Sequence, residues 1–376
     1  MHTEGAEHSS GDGSGHSAAG SPAAQRPDGT AGARVRRAAL RTAVREVFAV
    51  VLLVVLAATA LRERWSAPTD GAHAATSRIE RRLAAMGTHL SVVACAADRA
   101  TALAASEAAV SAVLAAERRL SNWSADSELV RLLPLGAALP SLDRIELPSG
   151  ASDELAADLA ALAPLVAACE GAFDPRASAG RGGPFGAVDS GGFGKGRALD
   201  LAVAAGLARG ATHIEVDLGG QVLVGGDDRE RSVSLADPRD RSRAVVEVAT
   251  RHASLATSCQ SERPGHIVDP SSTASVPFDG ALTVFADEAL AADVFSTALF
   301  VLGRERALAL AARLGVDVLV LEPRGARLLV HSSAGLEGRV RALAADVDVV
   351  RPSAPPPFTC PSPTSPTGLH GAAPVD

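Results

Sequence analysis

Helical and extended stretches follow one another along residues 78–331 without a regular strand–helix–strand period. That irregular order argues against a doubly wound parallel sheet. It predicts an α+β domain with mixed or antiparallel sheets and packed helices. The stretch 100–118 is Ala-rich and free of Gly and Pro, and reads as a helix. Residues 152–169 read as a second, with Ser152 as N-cap, Asp153 and Glu154 in its first turn and Gly171 beyond its end. Further helices are expected at 197–208, stopped by Gly210, and at 288–301 and 304–314. Strands are expected at 90–94, 213–218, 222–224, 231–235, 244–248, 282–285, 316–321 and 327–331. The folded domain is placed at 78–350.

The flanks are of another composition. Residues 1–33 are rich in Gly, Ser, His and Ala, and too poor in apolar groups to offset the entropy of folding, so a disordered tail is expected. Arg34, Arg36, Arg37, Arg41 and Arg45 precede an apolar run at 47–61, which Arg62, Glu63 and Arg64 close. The run is short beside the roughly 20 apolar residues of a spanning helix. Basic charge ahead of it still predicts a cytoplasmic N-terminus and an exported remainder. The preferred reading of 34–64 is a basic region and transmembrane signal anchor, giving a single-pass cell-membrane protein with its folded domain on the extracytoplasmic, periplasmic side. A cleaved signal peptide ending near Ala58-Thr59-Ala60 and a buried core helix are the alternatives. Residues 65–77 read as a linker and 351–376 as a disordered Pro-rich tail. With 36 basic and 43 acidic residues the chain is net acidic, which excludes the basic stripe of a nucleic-acid binder. Cys95, Cys169, Cys259 and Cys360 are not spaced as a metal knuckle or redox pair.

Four segments carry candidate chemistry. In Asp189-Ser-Gly-Gly-Phe-Gly-Lys-Gly196, four glycines lie just ahead of a helix. Main-chain N–H groups, a helix N-terminus and Lys195 together make a cradle for phosphate or pyrophosphate. The spacing is neither a Walker A loop nor a Rossmann fingerprint, and the bland reading is a helix-opening turn. Asp293 and Thr297 are four apart on an expected helix and share a face. A carboxylate and a hydroxyl suit Mg²⁺, or equally an ordinary helix start. Gly265-His-Ile-Val-Asp-Pro270 places His266 beside a turn, and Gly171-Ala-Phe-Asp-Pro175 follows a helix. Each has a structural reading as well.

Taken in order, these segments resemble the FAD:protein FMN transferase (ApbE-like) family, in a compact form. The resemblance runs through Met86-Gly-Thr88, Leu120-Ser-Asn-Trp123, Asp126-Ser-Glu128, Ala172–Pro175, Asp189–Gly196, Asp217-Leu-Gly-Gly220, Ala256-Thr-Ser258, His266–Pro270 and Ala292–Phe300, about residues 80–330. It implies a T-fold-like α+β domain and Mg²⁺-dependent transfer of FMN from its substrate FAD to a Thr or Ser in the flavinylation motif of an acceptor flavoprotein outside the cytoplasm. It implies FAD contacts at Met86, Trp123, Ala172, Phe173, Asp174, Asp189, Lys195 and Ile267. Mg²⁺ would be held by the Gly192 carbonyl, Asp293 and Thr297, with Ser296 at a further position. His266 is the candidate base, with Asp293 the other catalytic group. The alternative is a FAD-binding accessory protein or FAD pyrophosphatase with weak or no transfer. Five departures from the pattern stand out: a short 174–189 segment, Arg176 in place of Thr, Leu133 in place of Asn, Cys259 in place of Gly, and no Thr-Gly turn within 271–276.

Overall fold

The computed structural model describes residues 76–134, 149–177, 186–226, 229–261 and 263–350. The tails at 1–33 and 351–376, the anchor at 34–64 and most of the linker therefore lie outside the described residues. The first strands are β1 (Ser77–Ala85) and β2 (Thr88–Ala96), an antiparallel hairpin. Helix α1 (Arg99–Leu120) follows, started by Asp98, whose carboxylate accepts the Thr101 N–H at 2.9 Å. Next come α2 (Glu128–Leu132), α3 (Asp153–Ala168) and α4 (Gly194–Ala208). Ser152 caps α3, taking the Leu155 N–H at 3.1 Å, as its sequence position predicts.

The central run is β3 (His213–Leu218), β4 (Gln221–Gly225), β5 (Arg231–Asp237), β6 (Asp240–Thr250), β7 (Ser254–Cys259) and β8 (Ala281–Ala286). It is followed by α5 (Ala289–Leu302), α6 (Arg304–Leu314), β9 (Asp317–Arg324), β10 (Arg327–Ser332), β11 (Val340–Ala342) and β12 (Val347–Val350). A nine-stranded sheet has the order β1-β2-β3-β4-β7-β8-β9-β10-β12, and a three-stranded sheet the order β11-β6-β5. All neighbours pair antiparallel except β10 and β12. This is the α+β arrangement that the irregular element order predicts.

Helices cover one face of the large sheet. Helices α1 and α4 pack on β2 and β3 through Ala105, Ala109, Val113, Leu199, Val92 and Val216, while α3, α5 and α6 cover β8 and β9. The small sheet covers part of the opposite face through Val233, Leu235, Val246 and Val248. Strand β8 shows the consequence. Leu282 and Val284 face the helices, Ala281 and Phe285 face the small sheet, and all six of its residues are buried. Among the described residues α1 is the one helix long and apolar enough to cross a membrane, yet its Ala102, Ala105, Ala109, Val113 and Ala116 stripe is core.

Four strands, β1, β7, β11 and β12, are absent from the sequence reading. The Arg81-Arg82 region of β1 has no alternating apolar pattern, and pairing with β2 over nine residues makes it a strand. Polar Ser254–Cys259 becomes β7 because β4 and β8 flank it on both edges. Helix α4 also begins earlier than residue 197, inside the glycine segment itself.

Candidate active site

The glycine segment is a structured turn. Asp189 caps a 3₁₀ turn, Ser190–Gly192, accepting the Gly191 N–H at 2.8 Å. Helix α4 then starts at Gly194, so the segment opens a helix whose first N–H groups have no intrahelical partner. Asn122, buried just past the end of α1, clamps the turn from the other side. Its Nδ2 donates to the Val188 carbonyl at 2.6 Å and its Oδ1 accepts the Ser190 N–H at 2.6 Å. The Ser190 hydroxyl lies 2.6 Å from the Leu120 carbonyl. The 172–175 loop is tied in as well, because the Asp189 N–H donates to the Pro175 carbonyl at 2.8 Å.

Close approach explains two of the glycines. A Cβ on Gly192 would stand 2.7 Å from Phe173 Cε2 and 3.3 Å from Thr297 Oγ1. A Cβ on Gly196 would stand 2.3 Å from the Ala289 carbonyl oxygen at the start of α5. Helices α4 and α5 thus cross with their N-termini in contact. Across that crossing the Gly196 N–H donates to Asp293 Oδ2 at 2.9 Å, and Lys195 Nζ lies 3.5 Å from Asp293 Oδ1. Thr297, one turn further along α5, is partly exposed, while Ser296 is buried. The Ser296 hydroxyl is engaged by the Asp293 carbonyl at 2.9 Å and by Ser258 Oγ at 2.9 Å. The Asp293–Thr297 face meets the glycine turn, with Ser296 directed inward.

The other expected residues fall into three groups. Met86, in the β1–β2 turn, has φ 50° beside Gly87 at φ 71°, a conformation that costs a non-glycine residue about 1 kcal/mol or more. Its Cε lies 3.5 Å from where a Gly194 Cβ would stand, so the strained residue touches the start of α4. Phe173 abuts Gly192 and, like Ala172 and Ile267, belongs to the apolar core. Trp123 is 65 % exposed at the rim, with the Arg263 guanidinium 5.5 Å from its ring centroid. Asp174 is engaged by Arg176 at 2.7 Å. Burial pushes the Asp174 carboxyl up, but the bonds from the Arg176 side chain and N–H outweigh it and hold the group below the usual range.

His266 is half-buried on the loop after β7. Gln260 shapes that loop: Nε2 donates to the Val276 carbonyl at 2.9 Å and Oε1 accepts the Gly265 N–H at 2.8 Å. His266 Nδ1 meets the Arg263 carbonyl, which can only accept, so this nitrogen carries hydrogen and Nε2 holds the lone pair of the neutral ring. Burial lowers the His266 pKa, and the Arg263 and Lys195 charges add to this against the Arg263 carbonyl bond and the Asp189 charge.

Asn122, Ser190, Gln260 and Asp200 are supporting residues that the sequence reading assigned no role. Asn122 lies inside the quoted Leu-Ser-Asn-Trp segment, but its partners are 66 and 68 residues away. Among the described residues no three His, Cys, Asp or Glu side chains form a metal-holding group. Any divalent ion here would draw on Asp293, neutral oxygens and its own substrate. That is a hard-oxygen donor set suited to Mg²⁺.

Fold and site together define an α+β domain with a polar centre where a glycine turn and two helix N-termini meet. A model of the ApbE family matches residues 179–320, the segment that contains this centre. A Treponema pallidum (strain Nichols) relative, a FAD:protein FMN transferase, is 33% identical over 178 residues, 42% of this chain and 48% of the relative. The match thus spans about half the length of that curated relative. The flavin transferase ApbE from Vibrio cholerae superposes with TM-score 0.55 at 17% identity, covering 70% of this chain and 100% of that one. The Pseudomonas stutzeri flavinyl transferase ApbE, apo form, gives 0.55 at 22%, covering 70% and 97%. At these identities the two structures establish a shared fold.

Proposed function

We propose that the protein is a FAD:protein FMN transferase that moves FMN from FAD to a Thr or Ser of an extracytoplasmic flavoprotein and releases AMP. The observation that carries this reading is the meeting of Asp293 and Thr297 with the turn at Gly192, Lys195 and Gly196. The sequence match to the Treponema relative supports it.

The acceptor hydroxyl oxygen attacks the phosphorus on the FMN side of the FAD pyrophosphate. A P–O bond to the acceptor forms, the bond to the bridging oxygen breaks, and AMP leaves. Such a step needs positioning and charge neutralisation more than covalent help. Lys195 and the N–H groups opening α4 supply positive potential to the pyrophosphate. Asp293, Thr297 and the Gly192 carbonyl would hold Mg²⁺, and the ion would neutralise charge on the phosphate oxygens. Asp293 is already bonded to Gly196 and Lys195, which leaves His266 Nε2 to accept the acceptor's proton. Trp123, exposed at the rim, offers an aromatic face to the flavin or adenine ring.

The test is incubation with FAD, Mg²⁺ and an acceptor bearing a Ser/Thr-Gly-Ala-Ser/Thr motif. Flavin fluorescence on the acceptor in a denaturing gel is the expected result. AMP without labelled acceptor would instead identify a pyrophosphatase, and retained intact FAD a binding protein. The run at 47–61 is proposed as a membrane anchor that puts this domain outside the cytoplasm. The native protein should sediment with membranes, and a soluble exported form beginning after Ala60 would overturn the anchor.

A further inference from the structure

Helix α5, which carries Asp293 and Thr297, begins without a cap of its own: Glu288 occupies the N-cap position and its side chain makes no capping bond. The cap comes from another helix. Asp200, in the middle of α4, accepts the Ala289 N–H at 2.8 Å and the Leu290 N–H at 3.0 Å. Gln221, at the start of β4, donates its Nε2 to the Ala289 carbonyl at 2.9 Å. A Cβ on Gly196 would stand 2.3 Å from that same carbonyl oxygen, and the Gly196 N–H reaches Asp293 one turn on. The first residue of α5 is thus gripped through both its N–H and its C=O, by α4 and β4.

Resting on the transfer reading above, we infer that Asp200 is a positioning residue that sets the register of α5 against the glycine turn, and through it the placement of Asp293 and Thr297. The geometry has a simple lever. Asp200 and Gly196 lie four residues apart on α4 and so share a face, and their partners Ala289 and Asp293 lie four residues apart on α5. The two contacts form successive rungs between the helices. Releasing the first rung lets the start of α5 fray, and the second rung bears the Asp293 carboxylate.

A neutral local cap would hold a helix start without a buried charge. Here burial pushes the Asp200 carboxyl up to about 6, aided by Glu288 and opposed by the two N–H donors and Arg197. A carboxylate kept there at neutral pH accepts both N–H groups at once, one on each oxygen, which an amide side chain cannot do.

The test uses the full chain and the variants Asp200→Asn and Asp200→Asn/Glu288→Ser, the second giving α5 a local cap. Mn²⁺ binding to the FAD-loaded protein is followed by electron paramagnetic resonance, and FMN transfer is measured on the same samples. Asp200→Asn should weaken Mn²⁺ binding at least tenfold at temperatures where the fold is intact. The double variant should recover to within threefold. Wild-type Mn²⁺ affinity in Asp200→Asn, with only a lower Tm, would show a merely structural residue and overturn the inference. So would failure of the local cap to restore binding in a folded double variant. Wild-type protein that binds Mn²⁺ with FAD but transfers no flavin would refute the transfer reading while leaving the Asp200 comparison intact. Wild-type protein that binds no Mn²⁺ leaves Asp200 no centre to position, and the inference fails.

Discussion

Replacing Gly196 with Ala sets two physical effects against each other, and the structure decides the sign. Gly196 sits in the first turn of α4, where Ala is the better helix former by about 1 kcal/mol. Propensity alone predicts a more stable protein. The added Cβ, however, would stand 2.3 Å from the Ala289 oxygen, 2.7 Å from its carbonyl carbon and 2.7 Å from the Leu290 Cα. All three are backbone atoms of α5, so no side chain can rotate away. Ordinary contact begins near 3.4 Å, and the helices must part by about 1 Å. Overpacking of this kind costs about 1–3 kcal/mol, occasionally more, so the net effect is a loss of up to about 2 kcal/mol. For a domain of this size that is a fall in Tm of up to about 8 °C. The functional loss should exceed the loss of stability. The same separation stretches the Gly196–Asp293 bond, now 2.9 Å, out of hydrogen-bond range. A 1 Å misplacement of a reacting group costs about 100-fold in rate. Thermal unfolding and the gel-based transfer assay measure the two separately. A Gly196→Ala protein with unchanged Tm and transfer within twofold of wild type would refute the helix-crossing argument.

Three further outcomes are expected. Asp293→Ala should fold and lose Mg²⁺-dependent turnover by at least about 100-fold, and unchanged activity would remove Asp293 from the metal centre. Asn122→Ala strands the buried Ser190 N–H and Val188 carbonyl, an expected cost of about 2–4 kcal/mol. Urea unfolding reads this directly, and a change under about 0.5 kcal/mol, less than stranding even one buried group costs, would contradict the clamp. His252 bridges Asp287 at 3.0 Å and Asp317 at 3.3 Å, and these partners, Asp317 foremost, raise its pKa against burial. A raised folded pKa gives stability that is fully present below about 6.5 and is lost as pH rises through the folded value. His252→Gln should therefore be destabilised relative to wild type at pH 6 and match it at pH 9, and equal deficits at both pH values would exclude the ion pairs as the cause.

The longer helices were legible in the chain because their signals are local, whereas the single-turn α2 was not. Ser152 with Asp153 and Glu154 marks a helix start through groups that bond within one turn, and α3 begins there. The spacing of Asp293 and Thr297 gave a shared face for the same reason, since a helix fixes which side chains lie together. The collinear motifs pointed to the glycine turn, Phe173 and Lys195, and the fold sets Phe173 against Gly192 and Lys195 beside Asp293.

What tertiary structure alone decided is everything that depends on a partner distant in the chain. Strand β7 is polar and acquires its conformation from β4 and β8 on either side. Asn122 and Asp200 look like ordinary polar residues until the fold brings them to backbone groups 66 to 90 residues away. Ser296 and Thr297 are adjacent hydroxyls in sequence, yet helix rotation buries the first against Ser258 and leaves the second partly open beside Gly192. Local patterns specify conformation because their interactions close within a turn. The use of a polar group is set by which partner packing delivers to it, and no short window of sequence contains that partner.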